Sequence, residues 1–159
     1  MYPALRALKA SGKYILAGLS NTVIFPPDHP YSTSQFDDDP RKIFDVFISS
    51  AHVKLRKPDP AIYELALREV DHFARENAKG KGRGLGWEEG VKADEVLFLD
   101  DIGENLKAGK AAGFQTIKVN LGRAFEAVDQ LEEVTGLKLA GDHPRIPVKP
   151  VLRKPAAKL

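Results

Sequence analysis

Four strand-length runs punctuate the chain, at Tyr14–Leu19, Phe44–Ile48, Glu95–Leu99 and Gln115–Val119, and segments with helical spacing lie before, between and after them. The first run is apolar without alternation, the pattern of a strand covered on both faces, as in a parallel sheet. Ala4, Leu5, Ala7 and Leu8 recur at three- and four-residue steps and predict a short amphipathic helix that Ser11-Gly12 ends. Asp59-Pro60 opens a second helix, with Asp59 as N-cap and Pro60 at the first helical position, where a missing N–H costs nothing. Its expected core face is Ile62, Leu65, Ala66 and Val70. Glu104–Ala112 closed by Gly113, and a helix marked by Phe125, Val128, Leu131 and Val134 and ended by Gly136, complete the series. Strands alternating with helices predict an α/β layered domain with a mainly parallel sheet.

Two segments interrupt this order. Pro26–Pro40 is proline- and aspartate-rich and reads as a loop with at most one helical turn. Residues 78–91 contain Lys-Gly-Lys-Gly-Arg-Gly, with five of the 13 glycines between Gly80 and Gly90, and read as a flexible surface insertion. The expected organisation is a body over residues 1–142 and a Pro-rich basic tail over 143–159.

Charge and composition exclude several function classes. Five of the 24 Lys and Arg, and none of the 22 acids, fall in His143–Leu159, so the body is mildly acidic and lacks the basic face of a nucleic-acid binder. The absence of cysteine removes disulfide frameworks, thiolate metal sites and cysteine nucleophiles. No apolar run approaches the roughly 18 residues of a membrane span. Met1–Lys13 lacks the apolar core of a signal peptide. A soluble intracellular protein with no nucleic-acid or membrane partner is the expectation. Ala157-Lys158-Leu159 resembles the Ser-Lys-Leu peroxisomal signal, so the expected location is the cytoplasm or, through this tripeptide, the peroxisome; an accidental ending is the other account.

In open parallel sheets ligands collect at the carboxyl ends of strands, so polar residues directly after strand-like runs are the place to look for chemistry. Ser20-Asn21 follows the first run, Lys57 comes after the second, and Asp100-Asp101 ends the third. A hydroxyl donor, a lysine point charge and paired carboxylates together suit a phosphoryl group with Mg²⁺, which one or two carboxylates plus phosphate oxygens usually hold. Taken singly, each has a plain alternative: Ser20 as a strand-end cap, Lys57 as a solvated lysine, Asp101 as the cap of the following helix. A phosphoacceptor receiver domain would place its acidic pair first, whereas here the order is Ser, Lys, Asp-Asp. Gly18-Leu19-Ser20-Asn21-Thr22 is near a nucleophile elbow, and Ser20, Asp101 and His143 follow the serine-hydrolase order, but Thr22 replaces the second glycine and the reading leaves Lys57 and Asp100 unused. His29, His52 and His72 have no metal-ligand spacing and read as solvent-exposed or capping residues.

The strings Leu19-Ser20-Asn21-Thr22, Lys57-Pro58-Asp59-Pro60-Ala61-Ile62-Tyr63 and Phe98-Leu99-Asp100-Asp101-Ile102-Gly103-Glu104-Asn105-Leu106 resemble, in order, motifs two, three and four of the haloacid dehalogenase-like (HAD) hydrolase superfamily. The stretch 108–119 and the helix ending Leu131-Glu132-Glu133-Val134-Thr135-Gly136 look especially like the amino-terminal phosphatase domain of soluble epoxide hydrolase and its relatives. The resemblance covers roughly residues 1–140. It implies a HAD-type Rossmann-like core and a small phosphorylated substrate. Ser20 and Asn21 would hold the phosphoryl group and substrate, Lys57 would neutralise charge on the phosphate and the nucleophile, Asp101 supported by Asp100 would bind Mg²⁺, and Asn105 would orient the metal's surroundings. It also implies a departure. The family's first motif, an Asp-x-Asp strand supplying nucleophile and general acid, has no counterpart before Ser20, and the only Asp-x-Asp is Asp37-Asp38-Asp39 in the proline-flanked loop. The expectation is a core lacking its first strand and most of its cap. Such a chain would be inactive alone and would self-associate through unpaired sheet edges. A non-catalytic binding module keeping remnants of a phosphate site is the alternative function.

Overall fold

The computed structural model describes residues 1–24 and 40–149. Asp37-Asp38-Asp39, His29, most of the Pro26–Pro40 loop and the Ala157-Lys158-Leu159 ending lie outside the described residues. In chain order the elements are α1 (Tyr2–Ser11), β1 (Ala17–Ser20), β2 (Val46–Ser49), the single turn α2 (Ser50–Val53), α3 (Pro60–Asn77), β3 (Leu97–Asp100), α4 (Gly103–Ala111), β4 (Gln115–Lys118) and α5 (Ala124–Thr135). Short 3₁₀ turns at Pro40–Ile43, Trp87–Glu89 and Ala93–Glu95 join them.

All pairing among the described strands is parallel, and it falls into two separate pairs. β1 lies beside β2 with Ser20 opposite Ser49, and β3 lies beside β4 with Asp100 opposite Lys118. The two pairs nonetheless occupy one layer, because both faces are covered by shared clusters. On one face α1 and α5 (Ala4, Leu8, Val128, Leu131) pack with Leu16, Leu97, Leu99 and Ile117. On the other, Ile62, Tyr63 and Ala66 of α3 and Leu106 and Ala108 of α4 pack with Leu19, Ile48 and Phe98. β3 accordingly sends Leu97 and Leu99 to one side and Phe98 to the other, apolar in both directions as a covered parallel strand requires. The α/β class with short parallel strands expected from the sequence is what the chain adopts.

Local chemistry explains the helix ends. The Asp59 carboxylate accepts from the Ala61 amide at 2.9 Å with Pro60 opening α3, and the Gly136 amide donates to the Glu132 carbonyl at 2.8 Å to close α5. The α3 core face is rotated from the expected one: Ile62, Tyr63, Ala66 and Ala74 are buried, while Leu65 and Val70 are only half-buried. A carboxylate with a buried side chain then ties α1 to the start of β1. Asp45 accepts from Lys9 Nζ at 2.6 Å, from the Leu16 amide at 3.0 Å and from Lys81 Nζ at 3.5 Å, tying α1, the start of β1 and the 78–91 segment to one side chain. Burial opposes its charge, and the two lysines with the Leu16 N–H outweigh that, holding its carboxyl below the ordinary range.

The 78–91 segment differs from expectation. It is a chain of turns docked on α3, with Trp87 only 8% exposed and its ring 6.2 Å from that of Phe73. Arg75 donates to the Glu88 and Glu89 carbonyls at 3.3 and 2.8 Å, and Asp71 accepts from the Val91 amide at 2.9 Å. The glycines serve this docking, since a Cβ on Gly82 would collide with the indole. One large aromatic ring supplies the apolar area that the glycine-rich composition hid. The first part of the tail is also tethered: Arg145 pairs with Asp129 at 2.6 Å and the Val148 amide donates to the Gly122 carbonyl at 2.8 Å.

Candidate functional site

Three of the polar groups singled out in the sequence meet at the carboxyl end of β3. Asp100 is the last residue of that strand, and its side chain is buried. One oxygen accepts from Lys57 Nζ at 2.7 Å. The other accepts from the Ile102 amide at 2.8 Å and from Asn105 Nδ2 at 3.0 Å. Burial alone would push this carboxyl up; the Lys57 ammonium, the Ile102 amide and Asn105 together overcome it and hold it below the usual carboxylate range. Asn105, in the first turn of α4, is itself buried, and its carbonyl accepts from the Tyr63 hydroxyl at 2.8 Å. Lys57 Nζ also lies 5.5 Å from the centroid of the Phe98 ring, within cation–π range.

Lys57 reaches this place because Asn21 holds its backbone. The Lys57 amide donates to Asn21 Oδ1 and Asn21 Nδ2 donates to the Lys57 carbonyl, both at 2.9 Å, and the Lys57-Pro58 peptide that follows is cis. Both polar atoms of the Asn21 carboxamide are thus engaged by the N–H and C=O of one residue, so in this structure Asn21 positions Lys57. Ser20 ends β1 one residue before this clamp. Asp101 follows Asp100 on the exposed side, and among the described residues its carboxylate makes no hydrogen bond or ion pair. Gathered at one end of the layer are therefore Ser20, Asn21, Lys57, Asp100, Asp101 and Asn105, with a direct contact joining Lys57, Asp100 and Asn105. His143 stands in the turn after α5, its amide donating to the Ala140 carbonyl, and no described contact joins it to Ser20 or Asp101.

As a donor set for a hard cation, the site offers an open carboxylate at Asp101 beside one at Asp100 that already accepts three hydrogen bonds and keeps one position on Oδ2. Among the described residues no group of three His, Asp or Glu is arranged to hold a metal. The chemistry fits an ion that takes one or two carboxylates and fills its remaining positions with water and phosphate oxygens.

A polar cluster that the sequence reading did not single out flanks the site. Ser49 Oγ, Thr22 Oγ1 and His52 Nδ1 form a chain of 2.5 and 2.9 Å contacts, and Ser50 Oγ exchanges hydrogen bonds with the Thr22 backbone. His52 here meets the side-chain hydroxyl of Ser49, the residue that precedes α2, and caps no described backbone group of that turn. A cavity of about 860 Å³ opens beside this cluster and is floored by Phe47, Ile48 and Leu65. Its signal in sequence was only a Ser-Ser-x-His string after a strand.

No family model matches the chain. It is 33% identical over 122 residues to Acyl-CoA dehydrogenase family member 10 of Mus musculus, covering 77% of this chain and 9% of that protein. It is 32% identical over 141 residues to Bifunctional epoxide hydrolase 2 of Sus scrofa, covering 87% of this chain and 21% of that protein. The chain therefore spans less than a quarter of the length of either relative. Among solved structures, an uncharacterized protein from Corynebacterium glutamicum superposes with a TM-score of 0.59 at 17% identity, over 86% of this chain and 81% of that one, which establishes a shared fold. With the Ser-Asn, Lys-Pro-Asp-Pro and Asp-Asp strings met in order and brought to the same end of a parallel α/β layer, the chain belongs to the haloacid dehalogenase-like hydrolase superfamily.

Proposed function

We propose that this chain carries the phosphate-holding and metal-holding side of a Mg²⁺-dependent phosphomonoesterase site that works through an aspartyl-phosphate. The observation that supports it most is the desolvated Lys57 ammonium, 2.7 Å from Asp100 and fixed from behind by Asn21 at the carboxyl end of the layer. A positive charge held there, away from bulk water, acts on phosphate oxygens more strongly than a solvated lysine would. Ser20 is the hydroxyl donor to the phosphoryl group, and Asp101 with Asp100 would hold Mg²⁺, which supplies charge neutralisation at the transferring group. In the reaction a carboxylate oxygen attacks phosphorus, the ester oxygen leaves as the alcohol after taking a proton, and water then cleaves the acyl phosphate to release inorganic phosphate. Lys57 neutralises the charge that accumulates as carboxylate and phosphate approach.

The described carboxylates at the site, Asp100 and Asp101, would be taken up by Lys57 and the metal, and the carboxylate beside Lys57 is held below its usual range by that same ammonium, which makes it a weak base for activating a substitute nucleophile. That favours a second reading, a module that binds phosphate without turning it over. One experiment separates the two: an aryl phosphate assay with Mg²⁺ on the purified 159-residue chain, beside calorimetric titration with inorganic phosphate, each with Lys57→Ala as control. The expected result is no turnover by this chain alone, with Lys57-dependent phosphate binding. Turnover lost in the control would overturn inactivity; absence of phosphate binding would overturn the site. We also infer that the described strands, each laddered to one other described strand, favour association with another chain through their second edges, which light scattering at rising concentration tests.

A further inference from the structure

We propose that Tyr63 is a positioning residue for the Lys57–Asp100 pair, reaching both members at once through its hydroxyl and its ring. What the pair is for rests on the function proposed above; how it is held does not.

Tyr63 is wholly buried in the first turn of α3, six residues after Lys57. A phenolic hydroxyl in such a place is costly unless bonded, and a phenylalanine would fill the same space without that demand. The hydroxyl donates at 2.8 Å to the Asn105 carbonyl, whose second lone pair remains for the helix. This bond joins the first turn of α3 to the first turn of α4. The Asn105 side chain in turn donates to Asp100, so the hydroxyl fixes the backbone from which one member of the pair is held.

The ring serves the other member. It meets Phe98 edge-on, with centroids 5.6 Å apart at 88°, and Phe114 supports it from another side at 6.1 Å. Phe98 is the ring near Lys57 Nζ. Its own place is fixed, because a Cβ on Gly109 would come within 2.8 Å of Phe98 Cδ1. The contacts therefore close a circuit: Tyr63 to Asn105, Asn105 to Asp100, Asp100 to Lys57, Lys57 to Phe98, and Phe98 back to Tyr63. A tyrosine that merely filled the core would touch the aromatic side and leave Asn105 alone.

The test uses the full chain without metal, phosphate or substrate, so it fails or succeeds independently of phosphatase activity. Buried, hydrogen-bonded lysine ammonium and asparagine carboxamide groups give resolved ¹H–¹⁵N signals. Tyr63→Phe removes the hydroxyl and keeps the ring; the expected result is a shifted Asn105 carboxamide signal and loss of the Lys57 ammonium signal to solvent exchange. Ala66→Gly, which weakens the same helix face without touching the circuit, should leave both signals in place. Unchanged spectra in Tyr63→Phe, or equal changes in Ala66→Gly, would overturn the proposal. Should Tyr63→Phe not fold, the native chain supplies the answer: through-space transfer from the Lys57 ammonium to the Phe98 ring and from the Tyr63 hydroxyl to the Asn105 backbone is expected, and its absence overturns the circuit.

Discussion

Replacing Lys57 with methionine keeps most of the side-chain volume and removes only the charge that faces Asp100. The Lys57 and Asp100 side chains are 10% and 5% exposed, so the ion pair is buried and its loss strands a carboxylate in a poorly solvated place. Breaking such a pair from one side costs about 3–5 kcal/mol. Asp100 would still accept from the Ile102 amide and Asn105, which places the expected loss near the lower end, about 3 kcal/mol at pH 7. The pH dependence gives a sharper signature. In the native chain the Asp100 carboxyl sits below its ordinary value, so its contribution is present above that value and disappears as pH falls through the folded one. Without the ammonium, burial dominates and the folded carboxyl moves above the unfolded one, so acid relieves the variant. The deficit relative to the native chain should therefore shrink between pH 7 and pH 4. Urea unfolding followed by circular dichroism measures it, and adding Asp100→Asn to Lys57→Met should recover most of the loss. A deficit below about 1 kcal/mol at pH 7, as for exposed pairs, or one that widens with acid, would refute this account of the pair.

Asp45→Asn keeps the shape but loses the charge that two lysines face, and should cost about 1.5 kcal/mol at neutral pH while flattening the acid limb of the stability curve below about pH 4; an unchanged acid limb in pH-dependent urea melts would count against it. Trp87→Ala should undock the glycine-rich loop, cost about 2 kcal/mol of buried area and expose residues 78–90 to limited proteolysis that the native chain resists. Equal cleavage of both proteins would show that the docking contributes nothing. Glu132 accepts from the Leu139 and Ala140 amides, so Glu132→Ala should speed hydrogen exchange at those two positions while leaving α5 itself slow, and equal acceleration throughout α5 would contradict the anchoring.

The sequence made legible what depends on neighbours along the chain. Asp59-Pro60 at the start of α3 and Gly136 at the end of α5 are local stereochemistry, and both stand where the spacing put them. Asp100 could be placed at a strand end, and Lys57 after one, because parallel strands gather those ends on one side, whereas Asn105 entered only through the family resemblance. What depends on the third dimension stayed hidden. Tyr14 opens an apolar run yet is 37% exposed, because β1 pairs only from Ala17 onward. The α3 stripe expected through Leu65 and Val70 is rotated: Tyr63 and Ala74 are buried instead, Tyr63 with its ring against Phe98. A tyrosine carries no clear periodic signal, being apolar at its ring and polar at its tip. Asn21 next to Ser20 looked like a substrate contact, and nothing local reveals that its carboxamide matches the peptide of a residue 36 positions away.

The split between the β1–β2 and β3–β4 pairs bears on how finely the site can be set. Within each pair a backbone ladder fixes register in steps of one residue, so position there is digital. Between the pairs no described ladder runs, and alignment is carried by side chains packed under shared helices, which yields by fractions of an ångström. Asn21 and Lys57 belong to the first half, Asp100 and Asn105 to the second. The 2.7 Å contact that joins them is therefore a vernier across the seam: a few degrees of relative twist changes the separation of ammonium and carboxylate without breaking one described strand-to-strand hydrogen bond.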